Sequence, residues 1–331
     1  MFEKFRRFGL IVLSVVFLLA AFPSFAAEYP NKDIKVVCPW GAGGGVDGIT
    51  RMITKIAEKY IPASFYVVNV EGGTGSIGAY EVMKSKPDGY TIGSLSYDHI
   101  VTVPRHSKEI LPEYNLNKLK MICLVTREGG AMVVSNSAKW KNFRDFVEYA
   151  KKHPGKVTVA LDGFGSGDHL RALTIGDKLG IKMKYLPYPG GAGQKKEALL
   201  SGEVDVAMTS LGDFAPLIQS GQARGLVVME EERNKAFPDV PTFKEMGYDG
   251  LVMGSFVILA APAGTPDKII AKLENAFYKA HHSDEFRNWA ANVGVVPSWL
   301  GSEAVSKMVR DTQTQAFTML DKLVSEGIIK E

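Results

Sequence analysis

Apolar positions along the chain fall into short runs that alternate with stretches spaced like one face of a helix, and glycine marks most of the boundaries between them. Ile34 to Cys38 is the first run. It ends at Pro39, and Trp40-Gly41-Ala42-Gly43-Gly44-Gly45 leads into Ile49, Met52, Ile53, Ile56, Ala57 and Tyr60. That spacing predicts a helix over 47–60, with Asp47 as its cap. Residues 65–70 predict a second strand, which enters Glu71-Gly72-Gly73-Thr74-Gly75-Ser76, with Ser76 placed to cap a short helix. Pro87-Asp88-Gly89 reads as a turn and 90–95 as a third strand.

Residues 121–125 and 131–134 read as two strands separated by Arg127-Glu128-Gly129-Gly130. The pattern then begins again. Asn142 caps a helix carrying Phe143, Phe146, Val147 and Ala150, and Val157 to Leu161 forms a strand. The segment Asp162-Gly163-Phe164-Gly165-Ser166-Gly167-Asp168-His169 opens the next helix. Strands at 183–186, 204–208 and 225–229 follow, with a fourth glycine loop at 187–193. The apolar stretch 251–260 reads as a return crossing into the first unit. Thr265 is then expected to cap a helix carrying Ile269, Ile270, Leu273 and Phe277, and Ser302 to start a last helix. Strand–helix alternation in two successive units predicts an α/β protein of two domains, each a mainly parallel sheet flanked by helices. The expected first domain is 27–126 with 253–331, and the second is 127–252. Ligands of open parallel sheets bind beyond the carboxyl ends of the strands, so two facing sheets would enclose a cleft.

The first residues alter this picture by setting a compartment. Lys4, Arg6 and Arg7 precede an apolar run at 8–22, and Ser24-Phe25-Ala26 offers a small-residue cleavage site. Residues 1–26 therefore read as a secretory signal peptide, and the protein as exported. The alternative, a retained anchor, meets a run shorter than the ~20 residues a span requires. Charge is nearly balanced, Lys+Arg 39 against Asp+Glu 36, which argues against a nucleic-acid partner. Cys38 and Cys123 could pair in an exported protein, but each sits in an apolar strand-like run where free cysteine buries well. No histidines have metal spacing, since His281 and His282 are adjacent. No cofactor is expected.

Four glycine loops remain to be explained. Glycine lets the backbone approach a bound group, and unpaired amides at a helix start favour an anion, so the loops are expected to hold a carboxylate. Tight turns are the competing explanation for any single loop. Gly43-x-Gly45-x-x-Gly48 and Gly73-x-Gly75-x-x-Gly78 also match the dinucleotide fingerprint, with Glu71 near the ribose-binding position. Against that oxidoreductase reading stand the export signal and the number of loops. Ser166 lies between Gly165 and Gly167, but Phe164 and Asp168 occupy the positions where a nucleophile elbow needs glycine. Asp168 reads instead as a helix cap, and His169 as a wall or packing residue.

Tyr29-Pro30-Asn31-Lys32-Asp33-Ile34 with Pro39-Trp40-Gly41-Ala42-Gly43-Gly44-Gly45-Val46-Asp47 resembles the opening of the tripartite tricarboxylate transporter substrate-binding proteins, or Bug receptors. So do 69–78, Lys86-Pro87-Asp88-Gly89-Tyr90-Thr91, Gly165-Ser166 with His169-Leu170, Gly202-x-Val204-Asp205 and Pro238-Asp239-Val240-Pro241-Thr242. The resemblance implies a type II, Venus-flytrap-like periplasmic binding protein that delivers a small carboxylate to a two-component membrane permease, without catalysis. It implies that loops 40–44 and 163–166 hold carboxylate oxygens from opposite domains through backbone amides and ordered water. Relatives often have Phe-Ala-Ala where this chain has Trp40-Gly41-Ala42, and many have a neutral residue at Asp168. A cleft-facing Asp168 would repel a second carboxylate or attract an amino group. The expected site is Trp40, Ala42, Gly43 and Gly44 at one carboxylate, and Gly165 and Ser166 at the ligand's other end. Ser96, Tyr188, Gly190 and Asp205 are wall candidates beside Asp168. Hinge closure by a monomer is the expected mechanism, with a carboxylate sensor for a signalling partner as the alternative role.

Overall fold

The computed structural model of the chain describes residues 28–105 and 113–325. The expected signal peptide lies outside the described residues. Contacts divide the chain after Asn31, and every element named below belongs to Lys32–Glu331.

The strands β1 (Ile34–Cys38), β2 (Phe65–Asn69) and β3 (Thr91–Leu95) are parallel, in the order β2-β1-β3. Helices α1 (Gly45–Ala57) and α2 (Ser76–Lys84) cross between them, and a short α3 (Tyr97–Ile100) follows β3. α1 forms because Ile49, Ile53 and Ile56 recur on one face, and all three are buried. Next come β4 (Leu119–Ser135), α4 (Phe143–Lys152), β5 (Val157–Leu161), α5 (Gly167–Leu179), β6 (Met183–Pro187), α6 (Ala192–Ser201) and β7 (Val206–Ser210). Then follow α7 (Ala215–Gln219), β8 (Ala223–Val228), β9 (Gly254–Pro262), α8 (Asp267–His281), α9 (Asp284–Val293), β10 (Pro297–Gly301) and α10 (Ser302–Ser325). β5 pairs in parallel with β6 and β7, repeating the first arrangement.

The two parallel sets are joined through two long antiparallel strands. The path runs β2-β1-β3-β9-β4-β7-β5-β6, with β8 and β10 also on β4. β9 pairs with β4 from Leu119↔Pro262 to Gly129↔Gly254, and beyond that point β4 pairs with β7 and β8. One strand thus serves both lobes. The sequence reading had split β4 at Gly129-Gly130. The pair does not break the strand, because glycine there answers close packing. A Cβ at Gly129 would stand 2.2 Å from Glu230 Cγ, and one at Gly130 2.4 Å from Arg171 Cδ.

Four expected caps behave differently from one another. Asn142 caps α4, its side chain accepting from Asp145 N. Ser76 does not cap α2. Gly75, in the left-handed region at φ 82, precedes that helix, and a Cβ on it would meet His99 Nε2 at 2.3 Å. Thr265 donates to the Pro262 carbonyl at 2.7 Å, so the residue before α8 is Pro266. Asp47 lies inside α1, yet its carboxylate accepts from Gly43 N at 3.0 Å and from Asn69 Nδ2 at 2.8 Å, closing the first glycine loop. Cys38 and Cys123 are both buried and free. α10 docks on the first lobe, where Val305, Val309, Ala316 and Leu320 join one core with Met121, Leu124 and Ile258.

Candidate functional site

The loops after β1, β5 and β6 meet around a cavity of about 80 Å³. Two helix starts reach it: Gly44, Gly45 and Val46 at α1, and Gly190, Gly191 and Ala192 at α6. First-turn amides of a helix have no partner within it, and each start presents a positive dipole end. Here Gly44 N donates to the Gly41 carbonyl at 3.3 Å, Gly190 N to Gln194 Oε1 at 3.0 Å and Gly191 N to the Tyr188 carbonyl at 3.0 Å, which leaves the Val46 and Ala192 amides as the donors open to a ligand. The lobes touch across the cleft through their own carboxylates. Gly45 N donates to Asp213 Oδ1 at 2.9 Å, and Gly167 N, the first residue of α5, donates to Asp98 Oδ1 at 2.7 Å. The first contact needs glycine, since a Cβ at Gly45 would fall 2.1 Å from Asp213 Oδ1.

One end of the cavity carries a charge-paired network. Lys195 is 2% exposed, and its Nζ lies 2.8 Å from Asp162 Oδ1. It also donates to Asp168 Oδ2 and, at 3.0 Å, to the Met208 carbonyl. Two of these are hydrogen bonds, and the approach to Asp162 is an ion pair whose Oδ1 has no hydrogen-bond donor among the described residues. Arg171 NH2 donates to the other oxygen of Asp168. Burial opposes the charge on Asp168, but Lys195 and Arg171 outweigh it and hold that carboxyl below the usual range. Asp162 goes the other way: burial, with Asp168 and Asp98 nearby, pushes it up to about 8 even with Lys195 alongside.

Glu128 and Asp213, elsewhere on the lining, have no cation at hydrogen-bond contact among the described residues. Glu128 sits on β4, and burial, then Asp213 and Glu230, push its carboxyl up to about 8, against a hydrogen bond from Ser210. Asp213 Oδ2 accepts from the Thr209 hydroxyl at 3.1 Å. Thr126 also lines the cavity; it is fully buried and its Oγ1 has no partner. Among the lining residues the carboxyl groups of Asp98, Glu128, Asp162, Asp168 and Asp213 face only two cations, Arg171 and Lys195.

Trp40 forms one wall. Its Nε1 donates to Ser96 Oγ at 3.3 Å, and its ring lies 5.7 Å, edge-on, from that of His99. Ser96 N donates to His99 Nδ1 at 2.8 Å, and burial drives the imidazole down to about 4, so it stays neutral and fixes the Trp40–Ser96 contact. A Cβ at Gly191, in the other lobe, would sit 3.5 Å from Trp40 Cε3.

Of the residues singled out from the sequence, Trp40, Gly44, Ser96, Asp168 and Gly190 line the cavity. Ala42 and Gly43 are exposed on the loop. Ser166, not Asp168, caps α5, accepting from His169 N at 3.2 Å, and Gly165 N donates to His169 Nδ1 at 2.9 Å. Tyr188 packs against the core of Ala160, Ala198 and Leu199. Asp205 ties the start of β7 to β5, its Oδ2 accepting from Thr158 N and Oγ1, both at 2.9 Å. Sequence reasoning passed over Asp98, Thr126, Glu128, Arg171, Lys195 and Asp213. Only Arg171 carried a local signal, three residues after Asp168 on one helical face.

Two lobes that share crossing strands and close helix starts on a small cavity define a periplasmic solute-binding protein. The chain belongs to the tripartite tricarboxylate transporter family receptors, whose model matches residues 49–324. That family consists of binding receptors and not enzymes. The "UPF0065 protein in gbd 5'region" of Cupriavidus necator is 29% identical over 322 residues, covering 96% of each chain. Among solved structures, the periplasmic binding protein BugD superposes with a TM-score of 0.82 at 26% identity, over 89% of this chain and 98% of that one. MatC from Rhodopseudomonas palustris with bound malate gives 0.78 at 25% identity, over 87% and 98%. Among the described residues no helix is long and apolar enough to cross a membrane.

Proposed function

We propose that this chain is exported by its leader at 1–26 to the periplasm, binds a small carboxylate between its lobes and hands it to a two-component membrane permease. The lobes are 27–126 with 253–331 and 127–252, hinged where β4 and β9 pass from one to the other. The observation that carries this reading is the pair of helix starts, Gly44-Gly45-Val46 and Gly190-Gly191-Ala192, on opposite sides of one cavity. The Val46 and Ala192 amides, one at each start, suit carboxylate oxygens, and a ligand bound to both lobes favours the closed form by the contacts it adds. Trp40, Ser96, Asp168 and Gly44 complete the ligand's surroundings. The malate held by MatC, a relative at 25% identity, supports a carboxylate.

Thermal unfolding against a panel of mono-, di- and tricarboxylates tests the reading. A ligand at a hundred times its Kd should add about 2.7 kcal/mol of stability. A panel in which no carboxylate raises the midpoint, while a nicotinamide dinucleotide does, would reverse the assignment.

A further inference from the structure

The cavity is lined by five carboxyl groups and two cations, and Glu128 and Asp213 are the two carboxyl groups that lie on β4 and the loop after β7 with no cation at hydrogen-bond contact among the described residues. Thr126 and Glu128 are two residues apart on β4, so they project on the same face, and both reach the cavity. Asp213 approaches them from the loop after β7. The charged neighbours that act on Glu128 are Asp213 and Glu230, both acidic. Lys195 is close enough to influence Asp213, but it donates to Asp168 and the Met208 carbonyl and is ion-paired with Asp162. Arg171 gives NH2 to Asp168, while its Nε, beside Gly130, has no partner among the described residues and is open to the ligand's carboxylate. A second observation, independent of the acids, shows a polar guest to be missing: Thr126 Oγ1 is wholly buried at this cavity with no hydrogen-bond partner. A buried hydroxyl left unpaired costs free energy that a polar ligand atom restores.

We infer that the ligand carries a protonated amine as well as a carboxylate, and that Glu128, Asp213 and the Thr126 hydroxyl receive the amine. The inference rests on the receptor reading and narrows its substrate class to small amino acids. The carboxylate lies against the starts of α1 and α6, and the amine against β4. Size narrows the class further: a water needs roughly 10–15 Å³ of such space, so about 80 Å³ admits a molecule of about five to eight non-hydrogen atoms. 4-Aminobutanoate falls within that size, aspartate lies at its upper edge, and citrate exceeds it.

Calorimetric titration of the purified protein with matched acids tests this. The panel is succinate against aspartate, glutarate against 4-aminobutanoate and glutamate, with citrate and the carboxylate-free diamine putrescine. At least one amino acid should bind about tenfold or more tighter than its amine-free partner, the size of a hydrogen-bonded charge contact. Glu128→Gln should cut that preference to within about threefold and leave the amine-free acid no weaker; Thr126→Val, which keeps the side-chain volume, should cut it several-fold and serves if the first variant fails to fold. An amine-free acid binding as tightly as its amino partner overturns the inference and leaves the carboxylate receptor standing. Putrescine binding best overturns the carboxylate reading itself. Binding by no member of the panel overturns both.

Discussion

The two ends of the cavity are built from the same residue types and differ in how charge is answered. At one end Lys195 and Arg171 lie among Asp162, Asp168 and Asp98, and each cation has a carboxylate at contact. At the other, Glu128 and Asp213 have hydroxyls and one backbone amide for company and no cation of their own. Burying a charge is costly unless it is paired, so the paired end is a structural joint and the unpaired end is where a partner is wanted. Lys195 shows the first role plainly: it links Asp162 just after β5, Asp168 in the first turn of α5 and the Met208 carbonyl within β7 through one ammonium. The joint fixes the second lobe whether or not ligand is present. The acidic end changes its company only when the lobes meet, because the donor to Asp213 is Gly45 of the opposite lobe.

Removing the joint should therefore have the largest effect and act on folding. Lys195→Met strands Asp162 and Asp168 without their shared cation, and breaking a buried pair in this way costs about 3–5 kcal/mol. Denaturant unfolding should show that loss with or without ligand. A variant as stable as the parent would mean that the two ends do not differ as described.

The next effect should act on closure and spare folding. Gly45→Ala places a methyl where Asp213 Oδ1 now stands, at 2.1 Å, while leaving α1 free to form. Ala suits a helix better than glycine by about 1 kcal/mol, so the lobe itself should lose nothing. Ligand affinity should fall about ten- to a hundredfold, since the closed state is the one that binds. Affinity and thermal stability measured on the same preparation separate the outcomes. A parallel fall in both would place Gly45 in the fold, not in the closure.

The division between these ends also explains what could be read from the sequence. Runs such as Ile34–Cys38 and Val157–Leu161 end where the structure ends them, because proline or glycine follows a buried apolar run. The glycine loops at the helix starts were legible because their spacing is local. α9 and β10 were not. α9 buries only Phe286 and Ala290, although Ser283 caps it through Phe286 N at 3.2 Å, and β10 opens on Pro297 with no fully buried residue. The site's carboxylates were hidden for a different reason. Asp98, Glu128 and Asp213 come from three distant segments and meet only because β4 and β9 pass between the lobes. Lys195 is a lysine on a helix, a residue type expected in solvent, and only the fold reveals that it is buried. Asp168 was read as a cap because helix starts attract acids, yet its partners lie three residues on, at Arg171, and on α6, at Lys195.

The smallest effect concerns the unpaired end alone and is read from pH. Glu128 in the folded protein is held at about 8, raised first by burial and then by Asp213 and Glu230, against 4.5 for an ordinary glutamate. A carboxyl whose folded value is raised contributes stability that is complete below its unfolded value and is lost as pH climbs toward the folded one. Without ligand, stability should decline between pH 5 and pH 8, by about 1–2 kcal/mol once partial exposure of the side chain to the cavity is allowed for. Asp162, also raised to about 8, declines over the same window, so the wild-type slope has two sources. Glu128→Gln removes one of them. The difference between the two proteins, followed by thermal melts across that window, should favour the variant increasingly as pH rises. An ammonium-bearing ligand should abolish the difference in the wild type by supplying the charge Glu128 lacks. Parallel pH profiles for the two proteins would mean that Glu128 stays ionised in the empty cleft, and that its neighbours, not a ligand, answer its charge.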